Sequence, residues 1–222
     1  PDYADVDTKA AAGKAIAAAR QSLALDSTLA DAYAAIGSGE SRVWRNASAD
    51  SALRHAIALD SSFATAHHWY AILLCHLGQF DPAIREIERA RELEPTSLII
   101  NSNVGAILSL AGRTTEAEVI LRESLELDST FAETRNKLGI VLLYRGMLRQ
   151  AVVEFERALA LHGRRSPNIV AALAQTYARS GRTEDARRLL SELTTRSASE
   201  HVSASAVALV YSDLGEHDKA LE

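Results

Sequence analysis

His67, His68, Cys75 and His76 are of the residue types that hold a transition metal. Their spacing argues against it. Residues 68 and 75 share one face of a helix but stand about 10 Å apart along its axis, whereas one zinc ion takes ligands at closer i, i+4 spacing or from several segments. Cys75, the single cysteine, reads as a small apolar filler in a helix. The carboxylate pairs Glu86/Glu88 and Glu154/Glu156 could do acid–base work. Residues two apart on a helix do not face one another, however. Interleaved with Arg85, Arg89, Arg149 and Arg157, they are expected on a salt-bridged solvent face. Gly37-Ser38-Gly39 lacks the strand–turn–helix context of a nucleophile elbow, and no glycine-rich phosphate loop occurs. Arg164-Arg165-Ser166-Pro167 reads as a solvated loop. No catalytic residue, metal site or cofactor is expected.

The elements that carry these residues repeat. Ala24-Leu25-Asp26-Ser27, Ala58-Leu59-Asp60-Ser61, Glu92-Leu93-Glu94-Pro95 and Glu126-Leu127-Asp128-Ser129 each begin 34 residues after the last. Gly78, Gly112, Gly146, Gly181 and Gly215 form a second column, and Ala15, Ala49, Ala83, Ala117, Ala151, Ala186 and Ala220 a third. The single one-residue slip falls in the loop 162–167, where insertion is tolerated. Each unit reads as two helices. In residues 64–97 the first carries Tyr70, Ala71 and Leu74 and is stopped by Gly78. The second is expected to start at an Asp81 N-cap with Pro82 at the first helical position, and it presents Ala83, Ile87, Ala90 and Leu93 on one face. Small residues at Ala71, Gly105, Gly139, Ala174 and Ala208 let the two helices of a unit cross closely. Abundant alanine and only four prolines agree with an all-helical chain.

With a net charge of −5 the chain has no basic patch of the kind that marks nucleic-acid binding. No run reaches the ~18 apolar residues of a membrane span; residues 98–111 come nearest, interrupted by Asn101, Ser102, Asn103 and Ser109. One cysteine and no signal peptide suit a reducing, cytoplasmic setting, with a membrane anchor elsewhere in the parent as the alternative. A start at Pro1 and an end midway through a repeat suggest an excised segment of a longer parent.

These columns resemble the tetratricopeptide repeat (TPR). The resemblance implies an all-α fold, a right-handed TPR superhelix or α-solenoid of helix-turn-helix repeats over residues 1–222 as one solenoid. Its divisions are a half repeat at 1–29, repeats at 30–63, 64–97, 98–131, 132–166 and 167–200, and a partial repeat at 201–222. In 30–63 Trp44 replaces the turn glycine and Glu40 a column of Leu74, Leu108, Leu142, Tyr177 and Tyr211, so an altered turn is expected there. In the family, stacked first helices line a concave groove that takes an extended peptide or a helix. Carried over, the groove positions include Cys75, Ser102, Leu143 and Ala171. The contacts singled out as a partner site are His68, Ile72, His76, Asn136, Ile140, Tyr144, Gln175 and Arg179. A cluster of Lys, Arg and Asn that would clamp a terminal carboxylate is missing from this lining, which favours a neutral or mixed ligand.

Ala66-His67-His68-Trp69-Tyr70-Ala71, Leu98-Ile99-Ile100-Asn101 and Val202-Ser203-Ala204-Ser205 with Ala208-Leu209-Val210-Tyr211 resemble more narrowly the C-terminal TPR regions of bacterial signalling regulators. There the repeats follow a serine/threonine kinase, winged-helix or cyclase domain. The expectation is a non-catalytic protein- or peptide-binding module, the regulatory arm of such a protein. A solenoid sensing a small molecule or short peptide, and a structural self-assembly element, are the alternatives. The expected partner is a protein or peptide in the groove, with no direct nucleic acid, no membrane in this segment, and self-association through the solenoid ends as a further route.

Overall fold

The Asp-Ser tails and the glycine column punctuate the alanine-rich sequence at alternate short intervals, and each punctuation ends a helix. The computed structural model describes residues 8–162, 166–197 and 202–221. Among them thirteen helices and no strand occur: α1 (Thr8–Leu25), α2 (Ala30–Arg42), α3 (Asn46–Leu59), α4 (Ala64–His76), α5 (Phe80–Leu93), α6 (Leu98–Leu110), α7 (Thr114–Leu127), α8 (Ala132–Tyr144), α9 (Leu148–Leu161), α10 (Pro167–Arg179), α11 (Thr183–Arg196), α12 (Ala204–Asp213) and α13 (His217–Leu221). Arg164, Arg165 and His201 lie outside the described residues, as does the segment from Pro1 to Asp7. No described helix is long and apolar enough to cross a membrane.

The chain divides into two compact units, Pro1–Arg113 and Thr114–Glu222. In the first, consecutive helices pack in order from α1 to α6, and α4 also touches both α2 and α6. In the second, order is kept from α7 to α13, and α10 also touches α8 and α12. Each unit is thus a stack of helical hairpins. Within each unit the even-numbered helices form one layer, which is the packing of an all-α TPR solenoid.

Three local devices build the stack. The glycine column lies in the left-handed region, with φ between 72° and 80°, where a residue without Cβ is unstrained. There the chain closes a 6→1 bond, for example Gln79 N–H to Leu74 O at 2.9 Å and Met147 N–H to Leu142 O at 2.9 Å. The Asp tails fold as Asx turns: the Asp60 carboxylate accepts from Ser62 N–H at 2.8 Å and from Ser62 Oγ–H at 2.7 Å, and Asp26 and Asp128 do the same with Thr28 and Thr130. Finally, the small-residue column permits close crossing. A Cβ on Gly139 would meet the Phe155 ring at 2.7 Å, and one on Gly37 would meet Leu53 Cγ at 2.4 Å. The alanine column at Ala49, Ala83, Ala117, Ala151 and Ala186 is fully buried.

Two expectations are corrected. The turn after α2 is not altered. Trp44 adopts φ 62°, and Arg45 N–H reaches Glu40 O at 2.9 Å, as in the glycine turns. The backbone bonds of the hairpin hold the geometry, and tryptophan carries the strain. Asp81 is not the cap of α5. That helix starts at Phe80 after Gln79, because the glycine turn has already bent the chain into helical direction. Pro82 still sits among the first-turn amides that have no intrahelical partner.

Candidate partner-binding face

Each even-numbered helix buries its flanks against the neighbouring hairpins and leaves one row open. The row recurs at i, i+4, i+7 and i+11, one stripe of an α-helix. In the first unit it runs Asp31, Ala35, Ser38, Arg42 on α2; Thr65, Trp69, Ile72, His76 on α4; and Ile99, Asn103, Ala106, Leu110 on α6. All of these are half-buried or exposed. In the second unit it runs Glu133, Lys137, Ile140, Tyr144 on α8; Asn168, Ala172, Gln175, Arg179 on α10; and Val202, Ala206, Leu209, Asp213, which reach from the residues before α12 to its end. Large apolar side chains stand out to solvent along it: Leu110 and Tyr144 are 63% and 65% exposed, and Leu209 53%.

The residues chosen from sequence fall unevenly on this row. Ile72 and His76 lie in the first unit's row, and Ile140, Tyr144, Gln175 and Arg179 in the second's. His68 does not: it is 7% exposed, and its Nε2 is 2.6 Å from the Asn103 amide, a bond that ties α4 to α6. Asn136 is half-buried beside the row, its Oδ1 buried without a hydrogen-bond partner among the described residues. Cys75, Ser102, Leu143 and Ala171, placed on the groove by family register, are buried. The open stripe is rotated by about one residue from that register, because packing of α4 on α6 and of α10 on α12 covers the side carrying His68 and Ala171. The positions the sequence reading overlooked are Trp69, Asn103, Lys137 and Ala172. They sit four residues after Thr65, Ile99, Glu133 and Asn168, a spacing that could have pointed to them.

The electrostatics divide buried anchors from open groups. Burial pushes the Cys75 thiol up, which keeps it protonated and unreactive. Burial likewise holds Lys137 below its ordinary value, against the opposing pull of the Glu133 carboxylate 3.4 Å away. Tyr70 and Tyr177 are raised to about 12, first by burial and then by donating to Asp50 and Glu156. Among the described residues no three His, Cys, Asp or Glu side chains gather where a metal could sit.

The carboxylate pairs are also corrected. Glu154 is buried and accepts from Arg135 of α8 at 2.7 Å; Glu86 takes His67 Nδ1 at 2.6 Å. In both cases the same basic side chain also reaches the carbonyl of the preceding tail, Ser129 O or Ser61 O. Only Glu88 and Glu156 stand on the exposed face. Two residues apart means about 200° of rotation, so one member of each pair faces inward. The equal separation, 67 to 86 and 135 to 154, was a readable signal of this latch.

Residues 142–209 match the family model described as tetratricopeptide repeat. Solved structures extend the likeness over most of the chain. Pseudomonas aeruginosa pilF is 23% identical, with 86% of this chain and 87% of that chain covered and a TM-score of 0.69. A chain of the APC/C hetero-tetramer Cut9–Hcn1 gives 20% identity and a TM-score of 0.81 over 95% of this chain and 43% of that one. YrrB, described as a TPR protein with an unusual peptide-binding site, gives 20% identity and a TM-score of 0.57, with 92% and 96% covered. No curated protein sequence matches. The fold is that of a TPR solenoid, and residues 142–209 carry the sequence signature of the repeat as well.

Proposed function

We propose that this chain is a non-catalytic module that binds a protein or peptide along the open stripes of its even-numbered helices. The observation that carries the reading is the row itself. Trp69, Ile72, Ile99, Leu110, Ile140, Tyr144 and Leu209 keep apolar surface in water beside Asn103, Gln175 and Asn168, a mix of aromatic and aliphatic anchors with adaptable polar groups that suits a protein ligand. The peptide-binding site in YrrB supports the same use of this fold. On the narrower resemblance of residues 66–71, 98–101 and 202–211, we read the module as the interaction arm of a bacterial signalling protein. In the same reading the repeats keep the divisions at 30, 64, 98, 132, 167 and 201.

The test is selection of displayed peptides on the chain, followed by titration of the best binder. Charging the row of the unit on which that peptide docks, by Ile72→Glu in the first or Ile140→Glu in the second, is expected to weaken it by about tenfold or more, with helicity by circular dichroism unchanged. Undiminished affinity in both variants would overturn the assignment of the face.

A further inference from the structure

A second surface, unlike the open stripes, sits at the turn between α2 and α3. Trp44 is 77% exposed and holds φ 62°, the single non-glycine residue with positive φ among the described residues. Five other hairpins put glycine there. A bulky residue in this region is a steric outlier, and a side chain lying in water returns little packing to the fold. Backbone strain of this kind gathers where the side chain has a task.

Cations gather in the same turn and around the carboxylate that anchors it. Arg42 and Arg45 flank Trp44 in the chain, and Arg20 of α1 converges on the same corner. Arg20 Nη2 and Arg45 Nη1 lie 3.2 Å and 3.3 Å from the two oxygens of Glu40, which is fully buried. Both guanidinium side chains remain mostly exposed. Glu40 thus aims two arginines without covering them, while Arg42 makes no ion pair among the described residues. Three guanidiniums against one carboxylate make a local positive corner on a chain of net charge −5.

We propose that this corner docks a short acidic segment of a partner protein, in which an apolar or aromatic side chain stacks on Trp44 while neighbouring carboxylates take Arg42 and the outward edges of Arg20 and Arg45. Charge complementarity selects the partner: planar guanidiniums match carboxylates two-pronged, and Trp with Arg is the pairing that anchors interfaces. A single-stranded nucleic acid needs a basic groove that tracks several phosphates beside stacking platforms; one corner supplies too little of it.

The probe is a synthetic peptide of alternating glutamate and phenylalanine, titrated into Trp69→Phe protein so that emission reports Trp44. A saturable shift of that emission is expected, weakening as salt is raised. By calorimetry, Trp44→Gly and Arg42→Ala are each expected to weaken the peptide about tenfold. Trp44→Gly restores the residue of the other turns, so its melting temperature is expected to rise, which separates lost docking from lost fold. Ile72→Glu, which tests the open stripe, is expected to leave this binding unchanged. No saturation, equal affinity in Trp44→Gly, or tighter binding of an oligothymidylate than of the peptide would each overturn the proposal.

Discussion

The hairpin α2–α3 and the hairpin α4–α5 have the same turn and opposite chemistry. In both, a residue in left-handed conformation is followed by an amide that closes on the carbonyl five residues back, at 2.9 Å. In α4–α5 those residues are Gly78 and Leu74; in α2–α3 they are Trp44 and Glu40. Leu74 is packed among apolar side chains, whereas Glu40 is equally inaccessible yet charged, with Arg20 and Arg45 reaching in from water. The pair of hairpins separates two jobs that the repeat usually merges. The backbone hydrogen bonds and the small-residue crossing set the geometry; the side chains at these two positions can vary if a buried carboxylate finds cations and the turn residue bears its strain.

The largest expected effect comes from moving the carboxylate without its partners. Leu74→Glu leaves an uncompensated buried charge and should destabilise the protein by about 3–5 kcal/mol in denaturant unfolding. The reverse change, Glu40→Leu, strands no buried charge because both arginines already face solvent, so it is expected to be neutral or stabilising. Equal losses in the two variants would show that the hairpins differ in more than these side chains. Next, the crossing itself can be broken. Gly139→Ala forces a Cβ to within 2.7 Å of Phe155, an overpacking expected to cost about 1–3 kcal/mol; a thermal melt indistinguishable from the parent would mean the ring moves aside freely. Smaller still is the turn. Trp44→Gly should add about 1 kcal/mol by releasing left-handed strain, and Gly78→Ala should remove a similar amount.

The smallest effect lies in the tails that link hairpins. The Asp26, Asp60 and Asp128 carboxyls sit below the ordinary 3.8, held down by hydroxyl and amide donors of Thr28, Ser62 and Thr130. A carboxyl whose folded value is below its unfolded one stabilises the fold above the unfolded value, and that share is lost as pH falls through the folded one. Melting temperature should therefore drop on acidification from about pH 5 to pH 3, less steeply in Asp60→Asn. An unchanged slope would show that ionisation of Asp60 is not coupled to folding.

Much of this was legible beforehand from particular residues. Gly78, Gly112, Gly146, Gly181 and Gly215 end helices because their conformation is local, and Gly139 marks a close crossing because only a missing Cβ permits it. The site was legible in part. The family register carried Ile72, His76, Ile140, Tyr144, Gln175 and Arg179 onto residues that lie on the open stripe; it carried His68 there as well, but His68 is buried against the amide of Asn103 on α6, which the register does not show.

The sequence by itself determined the period, the breaks between helices and which residues are small enough for helices to touch, because these follow from backbone conformation and Cβ sterics within one hairpin. Only the tertiary structure decided which polar groups face water. It turned Glu86 and Glu154 inward to His67 and Arg135, buried Glu40 under two arginines, and rotated the open stripe onto Trp69 and Lys137. Those outcomes depend on what the neighbouring helices cover, and a side chain's own spacing carries no record of its neighbour.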